Sequence, residues 1–348
     1  MSVKELFIRE MLEEEEIKNL SSYAAKSRFT KGRKVEETPC EIRTQFQRDR
    51  DRILHSKAFR RLKHKTQVFF SPFDDHFRTR MTHTLEVSQI ARTIAKSLRL
   101  NEDLTEAIAL GHDLGHTPFG HSGEGTLNKM MREGFKHNEQ SVRVVEIIEN
   151  LNLTQETVDG ILNHNGDVSP FTLEGQIVKI SDRIAYINHD IQDALRAEII
   201  KQSDIPKDCL DYFSVSGRER ISKMIYDIVM NSYEKDKITM SDECKFYLDK
   251  LRTWMFENVY FSRGAKSEES KAQGVIENLF NFYYEQLAYR YNSDDVLKLQ
   301  RTVCDYVSGM TDRYALIKFE ENFLPAPFTR KNDDGFLFKL AEMNGLEG

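Results

Sequence analysis

The chain has 348 residues, 50 Lys+Arg against 56 Asp+Glu, a net charge of -6 and a mean hydropathy of -0.56. That length suffices for a sizeable core, the acidic balance excludes a generally basic nucleic-acid coat, and no apolar run approaches the ~20 residues of a membrane span. The four cysteines (Cys40, Cys209, Cys244, Cys304) form no CxxC pair, which argues against a disulfide scaffold, a zinc ribbon or a secreted protein.

In chain order, the N-terminal MSVKELFIREMLEEEEIKNL is acidic and lacks the apolar centre of a signal peptide, so a cytoplasmic protein is expected. Its Glu13–Glu16 run reads as a solvated helix face. Arg43–Lys65 holds nine Lys or Arg against two Asp. Such a cluster suits a polyphosphate, which needs several cations; the competing reading is a basic helix face paired with surface acids. Arg61–Phe70 and a short piece near Phe171 are expected to offer at most a hairpin. MTHTLEVSQIARTIAKSL sets Leu85, Val87, Ile90, Ile94 and Leu98 near helical spacing, and SVRVVEIIENL repeats the pattern with Val142, Val145 and Ile148. Six glycines fall between Gly111 and Gly134, marking a closely packed irregular turn. No proline lies between Lys207 and Leu324, so long helices follow; the last ~20 residues, with Pro325 and Pro327, read as loosely held. The expected fold is all-α, divided into an N-terminal segment 1–40, a core 41–200 and a helical C-terminal region 201–348.

All ten histidines lie between His55 and His189. Imidazole ligates metals and moves protons near neutral pH, so the clustering favours a site. His83 heads an amphipathic helix, GHDLGHTPFGH supplies His112, Asp113, His116 and His121, and Asp182 lies in VKISDRIAYINHDI. If one helix continues through the glycine-rich segment, His112 and His116 share its face. An imidazole–carboxylate set suits Mn²⁺, Fe²⁺, Mg²⁺ or Zn²⁺ with open water positions. Taken alone, His112–Asp113 reads equally well as a hydrogen-bonded pair at a helix end.

His83, then 28 residues, then His112-Asp113, then 68 residues, then Asp182 resembles the signature of the HD phosphohydrolase superfamily. RTQFQRDRDRILHSKAFRRLKHKTQVF, HDLGHTPFGHSGE, FKHNEQS and DYVSGMTDRYA narrow the resemblance to the bacterial deoxynucleoside triphosphate triphosphohydrolases, the deoxyguanosinetriphosphate triphosphohydrolase-like proteins. It runs from about Ser21 to Arg196 and resumes at Asp305–Ala315. Gln45 stands where that pattern has Pro.

The resemblance implies a divalent metal (Mn, Mg or Fe) on His83, His112, Asp113 and Asp182. It also implies hydrolysis of a deoxynucleoside triphosphate to deoxynucleoside and inorganic triphosphate. His116 and His121 would meet the reacting phosphate and water, Glu124 would orient an imidazole, and His137 would act as general acid or phosphate contact. Arg80 would contact phosphate, with Arg61 and Arg183 as further candidates. Tyr186 would pack on the sugar where a 2′-hydroxyl collides, and Asp190 would accept the 3′-hydroxyl. A homo-oligomer and a dNTP effector are further implications; nucleic acid is not implied, nor a membrane. His164 reads as a structural turn residue, with a second-metal or substrate role as the alternative; His189 lies off the Asp182 face; His55, His64 and His76 receive no role. Two other readings stay open: an HD-type phosphodiesterase or nucleotidase, and a nucleotide or single-stranded nucleic-acid binding module without turnover.

Overall fold

The computed structural model describes residues 8–68, 76–260, 263–325 and 335–346. Among them are sixteen α-helices and no strand. Of the anticipated hairpin, residues 69–70 lie outside the described residues. Its described part makes one antiparallel bridge, Thr66 to Thr79, and the segment around Phe171 pairs with nothing in a ladder. The bridge goes no further because Thr79 already turns its backbone into the next helix.

That helix, Arg80–Ser97, begins with a reciprocal cap between Thr79 and Thr82. Its buried stripe is His83, Val87, Ile90, Ala91 and Ile94, a 3.6-residue repeat. Leu85, expected in this stripe, is exposed, since it sits about 200° round the helix from His83. Helix Glu102–Gly111 is capped by Asn101 and buried almost throughout. Helix Leu173–Arg196 runs 24 residues and buries Ile177, Val178, Ile184, Ile187 and Ile191. These three pack on one another, and helices Gly217–Ser232 and Asp242–Met255 complete the largest apolar core. A second core joins helix Gly120–Met130 to helices Arg263–Arg290, Val296–Ser308 and Gly335–Met343. The C-terminal helix is therefore docked through Leu337, Leu340 and Ala341 instead of loosely held. Residues 326–334, including Pro327, lie outside the described residues.

Two further expectations change. Glu14 and Glu15 are exposed as expected, but Glu13 is buried and paired to Arg9 at 2.9 Å, and Glu16 accepts from Ser27 N and Oγ, anchoring the Ser27–Phe29 turn. Part of the basic segment is paired: Arg50 with Asp103 at 2.7 Å, Arg48 and Arg52 with Glu37 at 2.6 and 2.5 Å, and Arg43 with Asp51 at 2.9 Å. These four arginines behave as a paired helix face. Gln45, in the proline position, opens helix Gln45–His55, where Pro is tolerated because that N–H needs no helical partner. Its Oε1 accepts from Arg33 Nε at 3.1 Å, a bond proline cannot make.

Candidate active site

Helix Glu102–Gly111 stops at His112. The expected continuation to His116 does not form, so His112 and His116 do not share a helix face. Pro118 withholds the N–H that position 114 would need. Gly115 also turns the chain hard against helix His137–Arg143. A Cβ on Gly115 would lie 2.2 Å from Ser141 N, so only glycine fits. Ser141 Oγ accepts from Gly115 N and lies 2.9 Å from His112 O, tying the turn to the end of the preceding helix.

Ending there serves the four expected ligands. His83 Nε2 lies 3.0 Å from Asp182 Oδ1, and His112 Nε2 lies 3.8 Å from both Asp182 Oδ1 and Asp113 Oδ2. Donor atoms of His83, His112 and Asp113 all fall within 4.8 Å of one another. His112 Nδ1 donates to Ala109 O at 2.7 Å, which leaves a lone pair on Nε2. That buried Nε2 has no hydrogen-bond partner and faces two carboxylates. A buried acceptor nitrogen between carboxylates is the donor chemistry of a divalent cation site, and the four residues fit one. Burial opposes ionisation of Asp113, but the Arg80 guanidinium beside it outweighs burial and holds the pKa well below the usual carboxylate range. At Asp182 burial is likewise overcome, first by the His83 hydrogen bond, and the pKa is lowered.

Beside this set lies a second group. Glu124 Oε1 accepts from His137 N and from His137 Nδ1, both at 2.9 Å. His116 stacks on His137 with ring centroids 4.8 Å apart, and its Nε2 lies 3.6 Å from Glu124. His116, Glu124 and His137 together could hold a metal ion. His121 is 3.7 Å from Glu124 through Nδ1, with its ring 80% exposed, so it is the solvent-facing member. His164 belongs here too: its Nε2 faces His137 Nε2 at 3.2 Å, and its ring sits 5.0 Å from His112. One facing nitrogen must carry a proton. His164 Nδ1 already donates to Ile161 O, and burial lowers its pKa to about 3, so its Nε2 accepts. Burial works against a charged His137, but Glu124 outweighs it and raises the pKa, so His137 donates. Sequence reasoning makes His164 a turn residue; its place among the clustered histidines is the one signal that points here.

The arginines part company. Arg80 Nη1 donates to Asp113 Oδ2 at 2.7 Å in the interior. Arg61 lies 3.5 Å from Glu149, and Arg183, partly exposed, 3.8 Å from Asp249. Asp182, Tyr186 and Asp190 follow one another along helix Leu173–Arg196. Tyr186 Oη accepts from Arg252 Nε at 3.1 Å, and Tyr260 Oη donates to Asp190 Oδ2 at 2.5 Å. Asp190 Oδ1 is buried without a partner. Burial, only partly offset by the Tyr260 hydroxyl, raises the Asp190 pKa to about 7. Arg252 and Tyr260 were not anticipated; they lie 62 and 70 residues beyond Asp190 in sequence, and no motif marks them. His189 lies off the Asp182 face, its Nδ1 3.1 Å from Glu86 and its ring 6.4 Å from that of His83.

An HD domain model matches residues 80–187, and a phosphohydrolase-associated domain model matches 238–321. A deoxyguanosinetriphosphate triphosphohydrolase-like protein of Caldanaerobacter subterraneus is 56% identical, over 93% of this chain and 98% of its own. Proteins of the same description from Desulfatibacillum aliphaticivorans and Clostridium perfringens are 45% and 47% identical, over 92% and 91% of this chain. The span 80–187 takes in His83, His112, Asp113, His116, His121, Glu124, His137, His164 and Asp182, and the chain belongs to the HD-domain, deoxyguanosinetriphosphate triphosphohydrolase-like family of phosphohydrolases.

Proposed function

We propose that the protein hydrolyses deoxynucleoside triphosphates to deoxynucleoside and inorganic triphosphate. The observation that carries this reading is the single helix that presents Asp182 to the ligand set and Asp190 eight residues further on. It joins a phosphate-cleaving end to a wall with an unpartnered carboxylate oxygen. Held by His83, His112, Asp113 and Asp182, a divalent ion would polarise a phosphoryl oxygen and acidify a water.

The protein's own groups do the rest. Arg80 keeps Asp113 ionised and oriented. Glu124 fixes His137 through Nδ1, and the Nε2 proton that His137 holds against His164 is the one a general acid would give up to the departing triphosphate. His116 stays neutral, because burial, Arg80 and His137 lower its pKa well below the usual imidazole value. It can thus accept a hydrogen bond from water. His121, exposed at the mouth, is placed to meet the outer phosphates, with Arg61 and Arg183 as more distant candidates. Asp190 Oδ1 would accept the 3′-hydroxyl, and Tyr186, held by Arg252, would close the space beside C2′.

Incubation with each dNTP and Mn²⁺ or Mg²⁺, with products separated by anion exchange, tests the reading. Inorganic triphosphate with deoxynucleoside is expected. Monophosphate with pyrophosphate would overturn it. Turnover of cyclic or monophosphate nucleotides alone would favour the phosphodiesterase reading.

A further inference from the structure

The sequence resemblance resumes in the C-terminal half at Asp305–Ala315, and nothing in the reaction uses those residues. Yet Asp305 and Asp312 are almost completely buried acids. Asp312 Oδ1 accepts from Phe119 N at 2.9 Å, and Oδ2 accepts from Thr66 N at 2.8 Å. Phe119 has φ 60° and Gly120 φ 58°, two successive left-handed residues between His116 and His121. Left-handed backbone at a bulky residue persists only where its surroundings over-determine it. The surroundings here are the Asp312 carboxylate and the second apolar core, which holds the Phe119 ring.

Lys65 adds a second tie. It is buried, and its ammonium donates to Ser308 O at 2.9 Å and to His116 O. Asp305 grips the other half of the histidine group. It accepts from Gln140 Nε2 at 2.9 Å, from Arg143 Nε at 2.7 Å and from Arg143 Nη2 at 2.7 Å, all on the short helix that His137 begins. Eight residues, 305–312, thus hold both the turn bearing His116 and His121 and the helix bearing His137.

We propose that Asp305, Asp312 and Lys65 are positioning residues: the C-terminal segment sets the distance between the His116–His121 turn and the Glu124–His137 pair. The inference rests on the function proposed above, but its structural part stands without it. Small displacements matter here, because misplacing a reacting group by about 1 Å can cost 100-fold in rate.

The test combines hydrogen–deuterium exchange with steady-state kinetics on the full chain. Asp312→Asn puts an amide N–H₂ against a backbone N–H and should speed exchange at 114–121 but not at 102–111. It should lower kcat about ten- to hundredfold while KM and bound metal stay within about twofold of wild type. Asp305→Asn should speed exchange in 137–143 and at Gly115, whose N–H donates to Ser141 Oγ, and leave 116–121 as in wild type. Lys65→Met covers the case in which Asp312→Asn fails to fold, and should loosen the same turn. Uniformly faster exchange over the whole chain, or an unchanged kcat with a loosened turn, would overturn the proposal. If the wild type releases no triphosphate from any dNTP, the proposed reaction fails, while the segment-specific exchange pattern still decides whether these residues position the turn.

Discussion

The two sides of the site are held in different ways. His83 and Asp182 project from long helices locked by the largest apolar core, and His112–Asp113 follow directly from a third. His116, His121, Glu124 and His137 instead sit on a turn, an eleven-residue helix and a seven-residue helix. The second apolar core holds helix Gly120–Met130, and buried hydrogen bonds to distant carboxylates secure the turn and the short helix. A non-directional core tolerates drift of its members, whereas a buried hydrogen-bond network fails when one partner is removed. The ligand side should therefore lose function through its own side chains, and the histidine side also through residues that touch no substrate.

The sharpest break falls on the ligand side. His112→Ala or Asp113→Ala should abolish metal binding and reduce turnover by about 10³-fold, roughly 4 kcal/mol of transition-state stabilisation. Elemental analysis beside the assay checks it; retained metal with wild-type turnover would remove these residues from the ligand set.

Next comes the anchoring of the Asp182 helix. Glu174, in its first turn, accepts from Ala25 N and Asn101 N, and burial raises its pKa to about 7. The folded value lies above the unfolded one, so this group's stabilisation is full below about pH 4.5 and is lost as pH rises towards 7. Each tenfold difference in proton affinity is worth about 1.4 kcal/mol, so roughly 3 kcal/mol is at stake across that window. Urea titrations at pH 5 and 8 should show Glu174→Gln lacking most of that decline. Parallel pH slopes in both proteins would exclude Glu174 as the source.

On the histidine side, Glu124→Gln should lower kcat about 100-fold, the scale of a lost general acid, with metal occupancy unchanged. Loss of metal in this variant would erase the distinction between the two sides.

The wall beyond Asp182 offers finer tests. At pH 8, where Asp190 is ionised, Asp190→Asn should weaken dNTP binding about ten- to hundredfold, as for a charge-assisted hydrogen bond of roughly 1.5–3 kcal/mol. A 2′,3′-dideoxynucleotide should barely register the change, since both alterations remove one shared contact. If the two losses multiply, Asp190 does not meet the 3′-hydroxyl. Smallest in size, Tyr186→Ala should raise the ratio of ribo- to deoxyribonucleotide turnover several-fold, as relief of a single clash of about 1 kcal/mol allows. An unchanged ratio would leave the sugar selectivity to other residues.

Much of this protein was determined by its sequence alone. The 3.6-residue stripes of Arg80–Ser97 and Leu173–Arg196 made them helices whatever their neighbours. One helix then carried Asp182, Tyr186 and Asp190 on a common face, because that spacing is a property of the backbone. The residue types at His83, His112, Asp113 and Asp182 pointed to a metal only through their family-like spacing, since His112–Asp113 alone reads equally well as a hydrogen-bonded pair. Only the tertiary structure decided where helix Glu102–Gly111 ends, since that depends on Gly115 meeting the backbone of Ser141. It alone made Arg80 a partner of Asp113, drew His164 onto His137, and brought Tyr260 to Asp190 across 70 residues. It also set Asp312 on Phe119 across 193. Helical periodicity reports which face of an element is buried. It says nothing of which buried polar group lies opposite, because that pairing is settled by how the helices cross.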